Sequence, residues 1–252
     1  PKGIGKTIAK TFAKQKAAVV IADMNEAGVQ DTVKEIKELG GEAFGVTVNV
    51  TDEASVQKMV DDVMKEYGRI DVLVNNAGGA LKMPKGGFVD MPMDYWDEQI
   101  ALNLNSAAYC SQLAARCMIE KGIHGSIINI SSIHSLVTWV KRKALPYSAG
   151  KAGMNMFTKS IGVELIKYGI NVNCIAPGLV YTKIMDRYSE RDIRGFERKI
   201  PAGRGGTVDD IVPMIQFLAD KKKSSFIVGQ TIFIDGGQSI DGVIDCMLED
   251  EI

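Results

Sequence analysis

The stretch Ile70-Asp71-Val72-Leu73-Val74-Asn75-Asn76-Ala77-Gly78 decides how the rest of this chain is read. Its β-branched, almost wholly apolar run is the pattern of a strand covered on both faces. The amides and small residues that end it suit a ligand crevice at the carboxyl end of a parallel strand; the competing reading of Asn75–Gly78 is a plain loop of turn residues. Runs of the same kind occur at Ala17–Ala22, Ala43–Val50, Ser126–Ile130, Ile170–Ile175 and Thr231–Ile234. Between them, helical periodicity appears at Ile4–Lys14, Asn25–Leu39, Glu53–Tyr67, Tyr95–Lys121, Tyr147–Tyr168 and Val208–Ala219. Strands alternating with helices predict βαβ units and one α/β domain over residues 1–252 with a doubly wound parallel sheet.

Composition sets outer limits. The 252 residues are 46% hydrophobic and 24% charged, enough apolar matter for a sizeable core. A net charge of −1 gives no electrostatic pull toward nucleic acid or an anionic membrane. No apolar run reaches the roughly 18 residues a membrane span needs, so no membrane partner is expected. Cys110, Cys117, Cys174 and Cys246 form no CxxC pair, and Cys110 and Cys117 share a helix face as small buried residues. The lack of a disulfide framework points to the cytoplasm. There is no HExxH motif or Cys/His cluster to hold a metal.

Pro1-Lys2-Gly3-Ile4-Gly5 reads as the end of a glycine turn running into a helix, where backbone N–H groups meet a pyrophosphate. Such a turn follows a strand, so a strand and a first glycine, about ten residues in all, are expected ahead of Pro1. Asp23 ends the run Val19-Val20-Ile21-Ala22. A carboxylate there can accept hydrogen bonds from both ribose hydroxyls of NAD and would repel the 2′-phosphate of NADP; otherwise it caps the next helix. Lys2 could favour that phosphate, but no basic residue directly follows Asp23, and NAD is expected rather than NADP.

Tyr147-Ser148-Ala149-Gly150-Lys151 places a phenol and an ammonium four residues apart on one helix face. The ammonium favours the phenolate and is expected to lower the tyrosine pKa toward neutrality, where it can serve as a general acid/base. Ser132 follows the strand Ser126–Ile130, and its hydroxyl could hydrogen-bond a substrate oxygen.

With these residues in hand the chain resembles the short-chain dehydrogenase/reductase family, from Pro1 to about Gly237. The carriers are the glycine turn, Asp23, Asn75–Gly78, Asn103, Ser131-Ser132, Tyr147xxxLys151, and Pro177-Gly178 followed by Thr182. The resemblance implies a Rossmann-type sheet and hydride transfer between NAD and a secondary alcohol or ketone. It implies that Tyr147 is the catalytic acid/base, and that Ser132 rather than Ser131 polarises the substrate oxygen. Lys151 would hold the nicotinamide ribose, and Asn103 a water linking Lys151 to solvent. Gly3, Ile4, Gly5, Asp23, Met24, Asn49 and Val50 would contact the cofactor. Asn76, Ala77 and Gly78 would line its adenosine-ribose side, and Pro177, Gly178, Val180 and Thr182 its nicotinamide end. Asn49 stands where an aspartate commonly meets the adenine amino group, and its amide oxygen could accept that bond. The loop between Ser132 and Tyr147, with Trp139, Lys141, Arg142 and Lys143, is about two residues longer than the family's usual loop and would border the site.

Residues 183–206 break the βαβ rhythm and read as a substrate lid carrying Ile184, Met185, Tyr188, Phe196 and Ile200. Arg187, Arg191, Arg194 and Arg198 within it read as a solvated face or as contacts for an acidic substrate. His134 and Met185 are candidate substrate contacts beside Ser132 and Tyr147. The substrate remains open among a sugar or polyol, a steroid or bile acid, an acyl chain and a cyclic alcohol. Wide apolar faces on Tyr95–Lys121 and Tyr147–Tyr168, together with the resemblance, imply a homo-oligomer, dimer or tetramer. The tail 238–252 would lie on a neighbour or be disordered. Two other functions fit: an NADP-dependent carbonyl or 3-oxoacyl reductase, and a binding protein that senses NAD redox state without catalysis.

Overall fold

A computed structural model of the chain describes residues 3–81, 87–138, 144–182, 185–186 and 188–240. The strands are β1 (Ala18–Asp23), β2 (Glu42–Thr47), β3 (Val72–Asn75), β4 (Ser126–Ile130), β5 (Asn171–Pro177) and β6 (Thr231–Ile234). The helices that position the site are α1 (Ile4–Lys14), α2 (Glu26–Glu38), α3 (Glu53–Tyr67), α4 (Met93–Ile100), α5 (Ser106–Glu120), α6 (Leu145–Leu165), α7 (Glu190–Glu197) and α8 (Val208–Ala219). Each strand pairs in parallel, but in two sheets, β1-β2 and β3-β4-β5-β6. Among the described residues the strands thus form two sheets rather than the one continuous sheet expected.

Helices tie the two pieces together. On one face α1 sets Ile8 against Ile128, Ile130 and Ile175, together with Ile211 and Ile215 of α8. One residue on, Ala9 and Ala13 pack with Val29, Val33 and Ile36 of α2 over Ala43 of β2. On the other face α5 gives Cys110 to a cluster with Val46, Val56 and Val60, and Met118 to one with Ile127 and Val172. Ile127 and Ile128 thus go to opposite faces, the period of a strand buried on both sides. Each such fully buried side chain stabilises the fold by about 1.5–3 kcal/mol.

The helix expected over Tyr95–Lys121 is three pieces. α4 gives way to a π-helical stretch, Ala101–Asn105, before α5 begins. Asn103 Nδ2 donates to the Gln99 carbonyl at 3.0 Å and so competes with the backbone ladder at that turn. α6 starts at Leu145, with Pro146 in its first turn, and closes at Leu165 before a 3₁₀ turn over Ile166–Tyr168. Strand β2 ends at Thr47, so Val48–Val50 lie beyond it. Residues 183–206 contain α7, opened by a capping box between Ser189 and Asp192. Arg191, Arg194 and Arg198 are exposed on it, the solvated-face reading. Pro1, Lys2, Trp139, Lys141, Arg142, Lys143, Ile184, Arg187 and Cys246, with most of the tail, lie outside the described residues.

Candidate active site

Within each sheet the strands point their carboxyl ends the same way, so Asn75, Ile130 and Pro177 share one edge, and Asp23 ends β1 at the corresponding end of the other sheet. Buried polar side chains fix that edge. Asn75 Nδ2 donates to Ser111 Oγ at 2.9 Å and to Asn129 Oδ1 at 2.8 Å, and Asn129 Nδ2 donates to Thr158 Oγ1 at 2.8 Å. The line runs from α5 through β3 and β4 to α6, with partners for each amide, so it rigidifies the strand ends without leaving a buried donor bare.

The glycine turn is open where a ligand would need it. A Cβ on Gly3, the N-cap of α1, would meet nothing within 4 Å. A Cβ on Gly5 would stand 2.8 Å from Asn76 Nδ2, so the helix start and the end of β3 meet. Asp23 is exposed; its Oδ1 accepts the Asn25 N–H at 2.9 Å, and its other oxygen meets no donor among the described residues. The N-cap of α2 is Asn25, which accepts the Gly28 N–H at 3.1 Å, so capping does not account for Asp23. Met24 beside it is 76% exposed, an apolar surface at the same edge. These features fit the pyrophosphate and adenosine parts of a dinucleotide.

Asn49 departs from expectation. Its Oδ1 already accepts the Thr51 N–H at 3.1 Å and the Thr51 hydroxyl at 2.8 Å. That turn occupies the oxygen expected for adenine and leaves Nδ2, a donor, as the exposed part. Val50 packs against the α3 cluster.

Four expected residues converge beyond β3 and β4. Gly78 and Gly79 hold φ near +154° and +153°, backbone that favours glycine. A Cβ on Gly78 would come within 2.9 Å of Asn103 Oδ1 and 3.0 Å of Lys151 Nζ. Fully buried Asn103 clamps the loop, its Oδ1 accepting the Gly79 N–H at 2.9 Å and its Nδ2 donating to the Gly79 carbonyl at 3.1 Å. Gly79 and Gln99, whose Oε1 takes a further bond from Asn103 at 3.3 Å, were not singled out from the sequence. Gln99 sits one turn before Asn103, which is the signal that could have found it. Its buried Nε2 meets no partner among the described residues.

Lys151 is 3% exposed, and Nζ donates to the Ile130 carbonyl at 2.8 Å. It lies 5.8 Å from the centroid of the Tyr147 ring. Burial pulls its pKa down to about 8. Burial also pushes the half-buried Tyr147 phenol up, opposed by the Ser132 hydroxyl beside it. The expected lowering of the phenol is thus not the net effect in this state, because desolvation outweighs the neighbouring groups. His134 stacks edge-on against Tyr147 with centroids 5.7 Å apart, which brings it to the site. The two serines separate cleanly. Ser131 Oγ donates to the Lys151 carbonyl at 3.0 Å, whereas Ser132 Oγ accepts the His134 N–H at 3.2 Å and faces Tyr147.

At the far end, Gly178 is a glycine for packing. Its Cβ would fall 2.8 Å from Asp235 Cα, backbone that cannot step aside. Gly178→Ala is expected to destabilise the fold by about 1–3 kcal/mol through overpacking, read as a lower denaturant midpoint; an unchanged midpoint would refute that packing role. Val180 forms a bridge with Gly206 and packs into the α8 cluster. Thr182 accepts the Met185 N–H at 2.9 Å, and Met185 is only 6% exposed, buried under the turn rather than open to a substrate.

A family model described as enoyl-(acyl carrier protein) reductase matches residues 1–239. The chain belongs to the short-chain dehydrogenase/reductase family. It is 38% identical to a subunit of a hydroxy(phenyl)methylsuccinyl-CoA dehydrogenase of Thauera aromatica, over 94% of this chain and 93% of that one. It is 36% identical to the 3-oxoacyl-(acyl-carrier-protein) reductase of Thermotoga maritima, over 93% of each. A gluconate 5-dehydrogenase of Burkholderia cenocepacia, solved with NADP and tartrate, superposes with a TM-score of 0.86 at 33% identity, over 95% of this chain and 92% of that one. This short-chain dehydrogenase/reductase is accordingly an NAD(P)-dependent oxidoreductase that acts on alcohol or ketone groups of small molecules. Among the described residues no helix is long and apolar enough to cross a membrane.

Proposed function

We propose that this enzyme uses NAD rather than NADP, with Tyr147 as acid/base, Ser132 as the hydrogen-bond partner of the substrate oxygen, and Lys151 and Asn103 completing the proton path. The observation that carries the cofactor choice is Asp23: exposed at the carboxyl end of β1, with one carboxylate oxygen still able to accept a ribose hydroxyl. Bound NAD supplies the hydride acceptor. Tyr147 moves the hydroxyl proton, and Ser132 fixes the oxygen it leaves. Lys151 holds positive charge under the phenol. Asn103, its amide hydrogens committed to Gly79 and Gln99, holds the Gly78–Gly79 loop against Lys151. A water linking Lys151 to solvent would rest on the backbone of the π-helical turn or on the remaining lone pair of Asn103 Oδ1.

Three coarser features belong to the same reading. Residues 183–206, with Tyr188 and Phe196 in edge-on contact at 5.3 Å, serve as the substrate lid. Exposed Met156 and Val163 on α6 and Ile119 on α5 support assembly of identical subunits as a dimer or tetramer. The free thiols of Cys110, Cys117 and Cys174 suit a reducing compartment such as the cytoplasm.

Titration with NAD and with NADP tests the cofactor choice, and a panel of secondary alcohols followed at the NADH absorbance band tests the activity. Tighter NADP binding would overturn the reading of Asp23. Asp23→Ala is expected to weaken NAD binding by about tenfold to a hundredfold, the loss of hydrogen bonds to a charged group, and to relieve the repulsion of NADP.

A further inference from the structure

We propose that Asn155 and Ser135 are positioning residues that lock Ser132 to the helix carrying Tyr147 and Lys151. The inference rests on the role given to Ser132 above. Tyr147, Lys151 and Asn155 occupy successive turns of α6. Asn155 Nδ2 donates to Ser135 Oγ at 2.8 Å, and Ser135 Oγ donates to the Ser132 carbonyl at 2.7 Å. The Ser135 N–H donates to that same carbonyl at 3.0 Å, and the His134 N–H donates to Ser132 Oγ at 3.2 Å. Ser132 is therefore held at both its carbonyl and its hydroxyl.

The direction of the chain follows from the Asn155 amide, whose NH₂ faces Ser135. Its oxygen lies on the side of the fully buried Cys174 thiol, which keeps its proton and has both Asn155 Oδ1 and the Ile175 carbonyl at 3.7 Å. Ser135 accepts that bond with a lone pair, and its own proton is left for the Ser132 carbonyl. Each donor and acceptor along Asn155, Ser135 and Ser132 has one consistent role. The device joins β5, α6 and the turn after β4, so a shift of α6 carries Ser132 with it and preserves its spacing from Tyr147. Hydride transfer is sensitive to displacements of this kind, because a small misplacement of the substrate oxygen costs the aligned geometry.

Ser135→Ala removes the bridging hydroxyl and adds no bulk. It is expected to lower kcat about tenfold with the Kd for NAD unchanged, and Ser135→Thr, which keeps the hydroxyl, is expected to restore most of the loss. The deciding measurement is a double-mutant cycle with Ser132→Ala, using the best of cyclohexanol, 2-octanol, D-gluconate and ethyl 3-hydroxybutyrate as substrate. If Ser135 acts through Ser132, its substitution has no further effect once Ser132 is alanine; an additive tenfold loss would overturn the proposal. If Ser132→Ala leaves turnover intact, the role of Ser132 itself falls, and this inference with it. A readout independent of substrate is the ring-carbon NMR signal of Tyr147 in tyrosine-labelled enzyme, assigned by its absence in Tyr147→Phe. Ser135→Ala and Asn155→Leu are expected to move that signal in the same direction as Ser132→Ala, and a signal unmoved in both would refute the link.

Discussion

Tyr147→Phe is expected to fold, to bind NAD with unchanged affinity and to lose turnover by at least about a hundredfold, the lower scale of general acid/base catalysis. The substitution removes one oxygen and keeps the ring that meets His134 edge-on at 5.7 Å, so the site keeps its shape. Because burial pushes the phenol up, Tyr147 holds its proton at neutral pH and is ready to donate in ketone reduction. Alcohol oxidation needs the deprotonated form. Because that pKa is raised from the ordinary 10, oxidation by the wild-type enzyme should rise with pH up to pH 10, while reduction, which uses the protonated phenol, should stay nearly level. The rise should vanish in Tyr147→Phe, and a step near pH 8 that survives belongs to Lys151, whose pKa lies at about 8. Steady-state rates in both directions from pH 6 to pH 10 check this; near-normal turnover in the variant would remove Tyr147 from its role.

The parts of this site legible in the sequence are those where one residue type has one physical reason to be present. Asp23 after a β-branched run, Asn76 after β3 and the Tyr147–Lys151 spacing each carry their chemistry in their own local pattern, and the structure sets them at the carboxyl ends of strands or around one loop. The strands were legible for the same reason, β4 and β6 at both ends and the others with ends displaced by up to three residues, as at β2, which stops before Val48–Val50. The π-helical turn at Asn103 was not legible, because the apolar spacing of Leu102, Leu104 and Ala107 remains compatible with an unbroken helix. Gly178 shows another limit. A glycine needed for a ligand and a glycine needed for Asp235 look identical in one sequence. Ser135 and Asn155 lie twenty residues apart and carry no motif; only the packing of α6 on the turn after β4 makes them partners. The direction of the Tyr147 shift failed in the same way. Spacing brings the ammonium near, but burial is decided by tertiary contacts far from it in the chain.

Lys151→Met is expected to abolish turnover and, at neutral pH, to make the protein more stable. The ammonium is 3% exposed with no carboxylate against it among the described residues, and its hydrogen bond goes to a neutral carbonyl, that of Ile130 at 2.8 Å. Its pKa falls from an ordinary 10.5 to about 8 because burial disfavours the charged form. That difference corresponds to about 3 kcal/mol of destabilisation while both folded and unfolded chains hold the proton. The sign follows from proton counts. Below about pH 8 both states are protonated and the penalty is complete. Between about 8 and 10.5 the unfolded chain binds more protons, so wild-type stability gains with rising pH. Methionine matches the length of the side chain without the charge, but leaves the Ile130 carbonyl without its donor at a cost of about 1–3 kcal/mol. The net gain should therefore be at most about 2 kcal/mol at pH 7 and should disappear, or reverse, by pH 10. Urea denaturation of both proteins at the two pH values measures it. A variant less stable than wild type at pH 7, or a difference that does not change with pH, would show that Lys151 is not held as a buried, unpaired charge, and the poised base beside Tyr147 would lose its physical basis.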